Sequence, residues 1–370
     1  MTVCLDVVRP EVHSLGKYNA GLTTGEVRER YAVTAIAKLG SNESPLGPSP
    51  KVAQALAPTS DLMRLYPDPA GRTLREAIGG RFGMAADRVI LGNGSEDLLS
   101  VISRAVLRSG DRIVTPYPSF PLHEDYATVQ GATVARVAVD ERLNFDIPSM
   151  KRALREPCRM LIVANPMNPV GSWLDGDGLT EILASVPRGA LVVIDEAYAE
   201  YARGSSCPDA LALLKAFDLN WVVLRTFSKA YGLAGLRIGY GLTSSAGLTD
   251  LLDRVRTPFN ANAFAQAAAL AALADDDHLE AVVSLAVRER ERVRAFLEGR
   301  HFVVAPSCGN FLFFDCGKPA HAFSEALLAH GVITKPWKQE GYEAFIRVSI
   351  GSEAENDQFI NAIGELCSNT

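Results

Sequence analysis

The sequence predicts an α/β protein built on a three-layer, doubly wound and mainly parallel sheet. Six short runs rich in β-branched residues alternate with helical stretches, which is the order of elements in such sheets. Most of these runs are apolar on both faces, as in strands that helices cover from both sides. At 370 residues the chain is too long for one simple core, so we also expect a smaller α/β C-terminal domain.

The strands and helices of the large domain are expected at defined places. The strands are RVILGNG (88–94), DRIVTPYP (111–118), TVARVAV (133–139), RMLIVANP (159–166), ALVVIDEAY (190–198) and WVVLRTFS (221–228). A helix is expected over 95–110, with Ser95 as its N-cap and Gly110 as its stop, and another over 178–186. Binding sites in such sheets lie at the carboxyl ends of the strands.

The character of the sequence changes near residue 260. Two long helical stretches, 263–275 and 280–299, are followed by the strand-like segments FVVAP, NFLFFD and FIRVSIG. The first 50 residues are rich in loops. We therefore predict an N-terminal arm (1–50) that packs with the small domain, a large domain (51–260) and a small C-terminal domain (261–370).

Composition and charge narrow the functional classes. The chain has 37 basic and 43 acidic residues and no long basic run, so nucleic-acid binding is not expected. No apolar stretch approaches the roughly 20 residues that span a bilayer, and the N-terminus lacks the apolar core of a signal peptide. Six singly scattered cysteines predict reduced thiols in a cytoplasmic protein without a metal site, and the six histidines are expected to be structural.

Lys229 is the first candidate catalytic residue, because it directly follows an apolar strand. Burial there should lower the pKa of its amine, and Arg237 should lower it further. A neutral amine can attack a carbonyl group. Thr226 and Ser228 offer hydroxyls, and the Arg237 guanidinium suits a phosphate. The plain alternative is a surface lysine that happens to follow a strand.

Four further strand ends carry polar or aromatic residues. Asp195 needs a cationic partner if it is buried, and a protonated pyridine nitrogen would be such a partner. Alternatively, this aspartate could cap a helix. Tyr198 and Asn168 could hold a phenolate oxygen on the same ring. The glycines before Ser95 let backbone N–H groups approach an anion at a helix start. Tyr117 could stack on a flat ring.

Nine segments spread over nearly the whole chain carry a family resemblance: RPEVHSLGKY, KLGSNESPLGPSP, YPDPAGRTLREAI, LGNGSED, TPYPSF, NPMNPVG, DEAY, TFSKAYGLAGLRIGY and IRVSIGSEAEN. Together they resemble fold-type I aminotransferases, which use pyridoxal 5′-phosphate (PLP), and more closely the histidinol-phosphate aminotransferase family. The SK-x-x-G-L-x-G-L-R block is highly specific for the superfamily. The YPDP and IRVSIG elements favour the histidinol-phosphate branch.

The resemblance implies a role for each matching residue. Lys229 is the residue to which PLP is attached, Asp195 pairs with the ring nitrogen, and Tyr117 stacks on the ring. Asn168 and Tyr198 hold the ring oxygen. The residues implied around the phosphate are Ser95, Glu96 through its backbone N–H, Thr226, Ser228, Arg237 and, from the neighbouring subunit, Tyr66. The last of these implies a homodimer with shared active sites.

The resemblance also implies a substrate side and a reaction. Arg347 is similar to the arginine that takes the substrate's carboxylate, and Tyr18 and Asn42 resemble arm residues that close over the substrate. The implied reaction is two-step transamination of L-histidinol phosphate with 2-oxoglutarate, giving imidazole-acetol phosphate and L-glutamate in histidine biosynthesis.

The chain departs from the family pattern in four places, and this keeps alternatives open. Met167 and Val170 replace the usual Asn and Thr, the acid pair after the glycines is Glu-Asp, and the ring-stacking loop reads PYPSF. Lys335 stands where an arginine often binds the substrate's anionic end, and a lysine lacks the bidentate fork. An aromatic amino-acid aminotransferase is therefore one alternative. A PLP lyase of the threonine-phosphate decarboxylase type is another.

Overall fold

The computed structural model describes residues 7–17, 21–57 and 59–368, with the backbone alone at 59–61. The strands in this part of the chain are β1 (Ala37–Lys38), β2 (Val89–Gly92), β3 (Arg112–Tyr117), β4 (Thr133–Ala138), β5 (Met160–Ala164), β6 (Leu191–Asp195), β7 (Asn220–Thr226), β8 (Gly239–Thr243), β9 (Val303–Val304), β10 (Phe311–Asp315), β11 (Val332–Ile333), β12 (Lys335–Pro336) and β13 (Phe345–Ser349).

The α-helices in the described residues are α1 (Pro10–His13), α2 (Thr24–Tyr31), α3 (Pro50–Ala55), α4 (Thr59–Arg64), α5 (Arg72–Phe82), α6 (Ser95–Val106), α7 (Pro121–Val129), α8 (Ile147–Ala153), α9 (Gly176–Leu183), α10 (Ala210–Leu214), α11 (Ala246–Asp253), α12 (Ala263–Leu273), α13 (Asp276–Gly299), α14 (Ala320–Ala329) and α15 (Glu353–Ser368). None of them is both long and apolar enough to cross a membrane.

The large domain is a seven-stranded sheet with the order β2-β8-β7-β6-β5-β3-β4. The strands β4, β3, β5, β6 and β7 are parallel, and β8 runs antiparallel to both β7 and β2. Along β6, Val192 and Ile194 enter one buried cluster while Leu191 and Val193 enter another. Both faces of the sheet are therefore covered, which confirms the predicted three-layer, mainly parallel architecture.

In the large domain all six predicted strands are present and one, β8, was missed; the two-residue strands β1, β11 and β12 elsewhere in the described residues were not predicted either. β8 (Gly239–Thr243) carries two glycines, which read as turn residues in the sequence. The second glycine packs closely instead, because a Cβ at Gly241 would lie 2.9 Å from the Ile90 side chain on the neighbouring β2. Helix α6 ends at Val106 rather than at Gly110, and its N-cap is Gly94 rather than the predicted Ser95.

The C-terminal region has its own four-stranded sheet, β12-β13-β10-β9, whose paired strands are antiparallel. Phe311 and Phe313 of β10 face the large core, whereas Leu312 and Phe314 face a second core with α15. This sheet therefore lies between the two cores. The N-terminal arm joins it indirectly, since β1 pairs in parallel with β11.

The division between the domains falls later than the sequence suggested. Helix α12 and the first half of α13, through Ala286, contribute to the large core. Val293 and Leu297, in the second half of α13, belong to the small core. We therefore propose a boundary within α13 rather than at residue 260. The sequence did not indicate this position, because an alanine-rich helix such as α12 has little in its sequence to show which core it joins.

Candidate active site

A cavity of about 520 Å³ opens at the carboxyl ends of β5, β6 and β7. Of the residues predicted from the sequence, its lining contains Ser95, Glu96, Asn168, Asp195, Tyr198, Thr226, Ser228, Lys229, Arg237, Lys335 and Arg347. Parallel strands bring their carboxyl ends to one edge of the sheet, so residues far apart in sequence meet here. Arg347 and Lys335 come from the small domain and complete the opposite wall.

Lys229 lies half-buried in this cavity. Its Nζ donates to the Ser41 carbonyl oxygen at 2.9 Å and lies 5.8 Å from the centre of the Tyr198 ring. The pKa of the amine is lowered to about 7, chiefly by burial and in addition by the positive charges of Arg347 and Arg237. The structure thus agrees with the predicted direction, but it gives Arg347 a larger share than Arg237.

Asp195 is the buried carboxylate at the end of β6. Its Oδ2 lies 3.0 Å from Nε2 of His123, and its Oδ1 accepts from the backbone N–H of Ala197 at 3.1 Å. If Asp195 is ionised, the Nε2–H group of His123 donates a hydrogen bond to the carboxylate. The histidines were expected to be structural, and His123 is buried and positions the acid that faces the cavity.

Asn168 and Tyr198 each accept a hydrogen bond from another polar side chain. Arg347 Nη1 donates to Asn168 Oδ1 at 2.7 Å, which leaves the amide nitrogen of Asn168 as its donor. Asn42 Nδ2 donates to the Tyr198 hydroxyl at 3.0 Å, and Asn42 Oδ1 accepts from the Ser349 hydroxyl at 2.8 Å. Asn42 is completely buried and does not line the cavity. The prediction that it closes over the substrate is corrected: it positions Tyr198.

A tight cradle lies where α6 begins. The first helical residue is Ser95, which lines the cavity. A Cβ at Gly94 would lie 2.5 Å from Arg237 Nη2, and one at Gly239 would lie 2.4 Å from the Ser95 nitrogen. The backbone contact forbids a side chain at Gly239, and a φ of +87° disfavours one at Gly94. Backbone N–H groups at a helix start, together with a guanidinium, form an anion site.

Tyr117 does not line the cavity, so its predicted role as the ring stacker is corrected. Its hydroxyl donates to the Glu340 carbonyl oxygen at 2.9 Å, and its ring packs edge-on against Tyr342. Its position at the end of β3 directs it toward the small domain. Phe120, directly before α7, lines the cavity instead and offers the flat apolar face.

Tyr66 lies on the surface of the chain, outside the cavity. Tyr66 is 82% exposed and stacks on Phe259, with the ring centres 4.6 Å apart, and it takes no part in the cavity of its own chain. Its reach into a neighbouring subunit stays a prediction. Tyr18 falls outside the described residues, so its predicted contact with the substrate is untested.

The far end of the cavity is positively charged. Arg347 Nη2 donates to the Gly40 carbonyl oxygen at 2.8 Å, and the guanidinium carbon lies 5.8 Å from the ring centres of Phe311 and Trp337. Burial, together with the charges of Arg347 and Lys338, lowers the pKa of Lys335 to about 8. This end can bind an anionic group of a substrate.

The residues present fit PLP. The side-chain-free cradle with Ser95, Thr226, Ser228 and Arg237 suits its phosphate, and the buried Asp195 suits its ring nitrogen. The sequence missed three residues of this region: Phe120 and Tyr126, which line the cavity, and His123, which lies behind Asp195. All three belong to α7 or directly precede it. Aromatic residues clustered after a strand end were the available signal, but the sequence does not show which way α7 faces.

Comparison with known proteins gives consistent matches. The family model described as "Aminotransferase class I and II" matches residues 34–363. Histidinol-phosphate aminotransferase 1 of Mesorhizobium japonicum is 59% identical over 99% of this chain and 100% of its own. Histidinol-phosphate aminotransferase 3 of Rhizobium meliloti is 54% identical over 97% of each.

Solved structures also match over nearly the whole chain. The histidinol-phosphate aminotransferase from Sinorhizobium meliloti, in complex with pyridoxal-5'-phosphate, has a TM-score of 0.90 at 30% identity, with both chains fully covered. A mutant aspartate aminotransferase of Thermus thermophilus, 21% identical with a TM-score of 0.82, covers 97% of this chain and 99% of its own and shares the fold.

Proposed function

Because the chain belongs to the aminotransferase class I and II family, and within it to the histidinol-phosphate aminotransferases, we propose that it transfers the amino group of L-histidinol phosphate to 2-oxoglutarate with PLP as cofactor. The observation that carries the proposal is one cavity that holds a lysine with a lowered pKa, a buried aspartate and a cationic far end. The products would be imidazole-acetol phosphate and L-glutamate, as in histidine biosynthesis.

The side chains of the cavity divide the chemistry among them. PLP, when bound, supplies an electron-withdrawing ring that stabilises negative charge at the substrate Cα. Asp195 would hold the protonated ring nitrogen, and it is itself held by His123. Lys229, with a pKa of about 7, can both accept and donate the proton that moves at Cα. Phe120 and Leu122 keep this part of the cavity apolar and limit the access of water.

The far end of the cavity selects the substrate. Arg347 and Lys335 present two cations, which suit the phosphate of histidinol phosphate in the first half-reaction and a carboxylate of 2-oxoglutarate in the second. Lys335 offers a point charge where an arginine would offer a fork, and this favours an aromatic amino acid as the second candidate donor. We place the enzyme in the cytoplasm.

A half-reaction assay tests the donor. PLP-loaded protein is mixed with L-histidinol phosphate, L-phenylalanine or L-glutamate without a 2-oxo acid, and the loss of the visible absorbance band of the bound cofactor is followed. A response to micromolar histidinol phosphate, with phenylalanine far weaker, supports the proposal. A response to phenylalanine alone would make the protein an aromatic aminotransferase. Release of carbon dioxide without need for a 2-oxo acid would identify a lyase.

We also propose that two chains share each active site. Tyr66 is exposed and stacks on the exposed Phe259, and Met63 and Leu65, close to Tyr66 in the chain, are exposed apolar residues as well. A second copy of the chain would cover these side chains and receive Tyr66 at its own phosphate cradle. They support this arrangement because large apolar side chains exposed together mark interaction surfaces.

Mixed dimers test the shared site. The Lys229→Ala and Tyr66→Ala variants should each be inactive or weakened when assayed alone. The two variants are then mixed, unfolded and refolded together, so that mixed dimers form. If Tyr66 serves the neighbouring chain, a mixed dimer contains one intact site, so activity rises well above either parent. If Tyr66 serves its own chain, both sites stay defective and no activity is recovered. The fraction of mixed dimer is measured by differential tagging.

A further inference from the structure

A carboxylate lies inside the cradle that we assign to the cofactor phosphate. Glu96 is the second residue of α6 and lines the cavity together with Tyr126 of α7. The Tyr126 hydroxyl donates to Glu96 Oε1, and Glu96 Oε2 lies 3.9 Å from Nη2 of Arg237. The guanidinium that suits the phosphate therefore already has a negative neighbour.

The next acid in the same helical turn behaves differently. Asp97 Oδ2 accepts from the Asn93 backbone N–H at 2.9 Å and from Asn260 Nδ2 at 2.6 Å. Asp97 does not line the cavity. Of these two acids, Glu96 faces the phosphate site and Asp97 is turned away, so the two residues form a natural test pair.

Charge makes the position of Glu96 consequential. A phosphate monoester carries between one and two negative charges near pH 7 and binds best to cations and backbone N–H groups. A carboxylate beside Arg237 both repels this anion and competes for the guanidinium. The bond from Tyr126 opposes these effects, since it holds Oε1 on the α7 side and takes part of its charge.

We propose that Glu96, held by Tyr126, is a negatively charged residue that lowers the affinity of the cofactor phosphate for Arg237. The proposal rests on the phosphate position given under the proposed function. Burial and the bond to Glu96 raise the pKa of Tyr126, so its hydroxyl keeps its proton and remains a donor at neutral pH. Without that bond the carboxylate would turn toward Arg237 and weaken phosphate binding more.

Reversible binding of pyridoxamine 5′-phosphate to the cofactor-free protein tests the proposal, because this ligand cannot form a bond with Lys229. Dissociation constants are measured by fluorescence titration for Glu96→Gln, Tyr126→Phe and the double variant. Glu96→Gln should bind about ten- to a hundredfold more tightly than the wild type. Tyr126→Phe should bind several-fold more weakly, and the double variant should resemble Glu96→Gln, since no charge is then left for Tyr126 to restrain.

Three controls separate the explanations. Asp97→Asn removes the same charge from the same turn and should leave the affinity unchanged; the melting temperature of each cofactor-free variant shows that it is folded. Should Asp97→Asn fail to fold, Asp125→Asn on α7 replaces it as the charge control. Pyridoxamine, which lacks the phosphate, should bind Glu96→Gln and the wild type equally.

The contrary results are distinct. Unchanged or weaker binding by Glu96→Gln, an equal gain for pyridoxamine, or an equal gain in the Asp97 or Asp125 control overturns the inference. A double variant as weak as Tyr126→Phe would show that Tyr126 acts independently of Glu96, which also overturns it. Arg237→Gln should weaken phosphate binding at least a hundredfold; if it has no effect, the phosphate site itself is wrongly placed and the proposed function fails at that point.

Discussion

In the cofactor-free protein, about half of the Lys229 amines should be neutral at pH 7. This follows from the lowered pKa of about 7, whereas a pKa of 10.5 would leave roughly one amine in 3,000 neutral. Folding thus increases the reactive fraction by a factor of roughly 1,600 at this pH. The gain has two causes that can be separated, burial of the amine and the nearby cations Arg347 and Arg237.

Lysine titration by NMR measures this pKa directly. The protein is methylated with ¹³C-formaldehyde, and the Lys229 methyl signal is assigned by its loss in Lys229→Arg. Arg347→Gln should raise the midpoint, and Arg237→Gln should raise it less, because Arg347 contributes more of the shift. A Lys229 signal with a midpoint near 10, or a larger effect from Arg237 than from Arg347, would refute the reasoning.

Two more variants test the walls of the cavity. His123→Phe should lower kcat about ten- to a hundredfold, because the bond to Asp195 is charge-assisted and worth about 1.5–3 kcal/mol. His278→Gln alters a bond to Gly47 outside the cavity and should leave kcat unchanged. Equal losses in the two variants would mean a general effect on folding. The KM for histidinol phosphate should rise about tenfold per pH unit above a pH of about 8, where Lys335 loses its charge. Lys335→Arg should remove this rise, since arginine stays protonated. If KM depends on pH in the same way in both proteins, Lys335 does not bind the anion.

The strand ends were the most predictable part of the site. Lys229, Asp195 and Asn168 each follow an apolar run, and a parallel sheet brings such positions together whatever the detailed packing. The antiparallel β8 was not predictable in the same way, because its glycines serve close packing rather than a turn. Here local residue preferences and tertiary packing disagree, and packing decides.

Residues whose role depends on the direction of a side chain were harder to predict. Tyr117 and Phe120 are three positions apart and both aromatic, yet the last strand residue turns toward the small domain and the later residue faces the cavity. His123 follows on the first turn of α7 and reaches Asp195, 72 residues later in the chain. The orientation of α7 comes from its contacts with α6 and the sheet, which no local pattern contains.

The bond between Arg347 and Asn168 links the two ends of the cavity. A cation on the amide oxygen draws electron density from the amide and makes its nitrogen a stronger donor. An anion that binds Arg347 should share that cation and so weaken this donor, which we propose to hold the cofactor ring. Occupation of the substrate end is thereby communicated to the ring before any bond changes, and a non-reactive dicarboxylate should shift the colour of the bound cofactor. The absorbance of the bound cofactor would then show when the substrate end of the cavity is occupied.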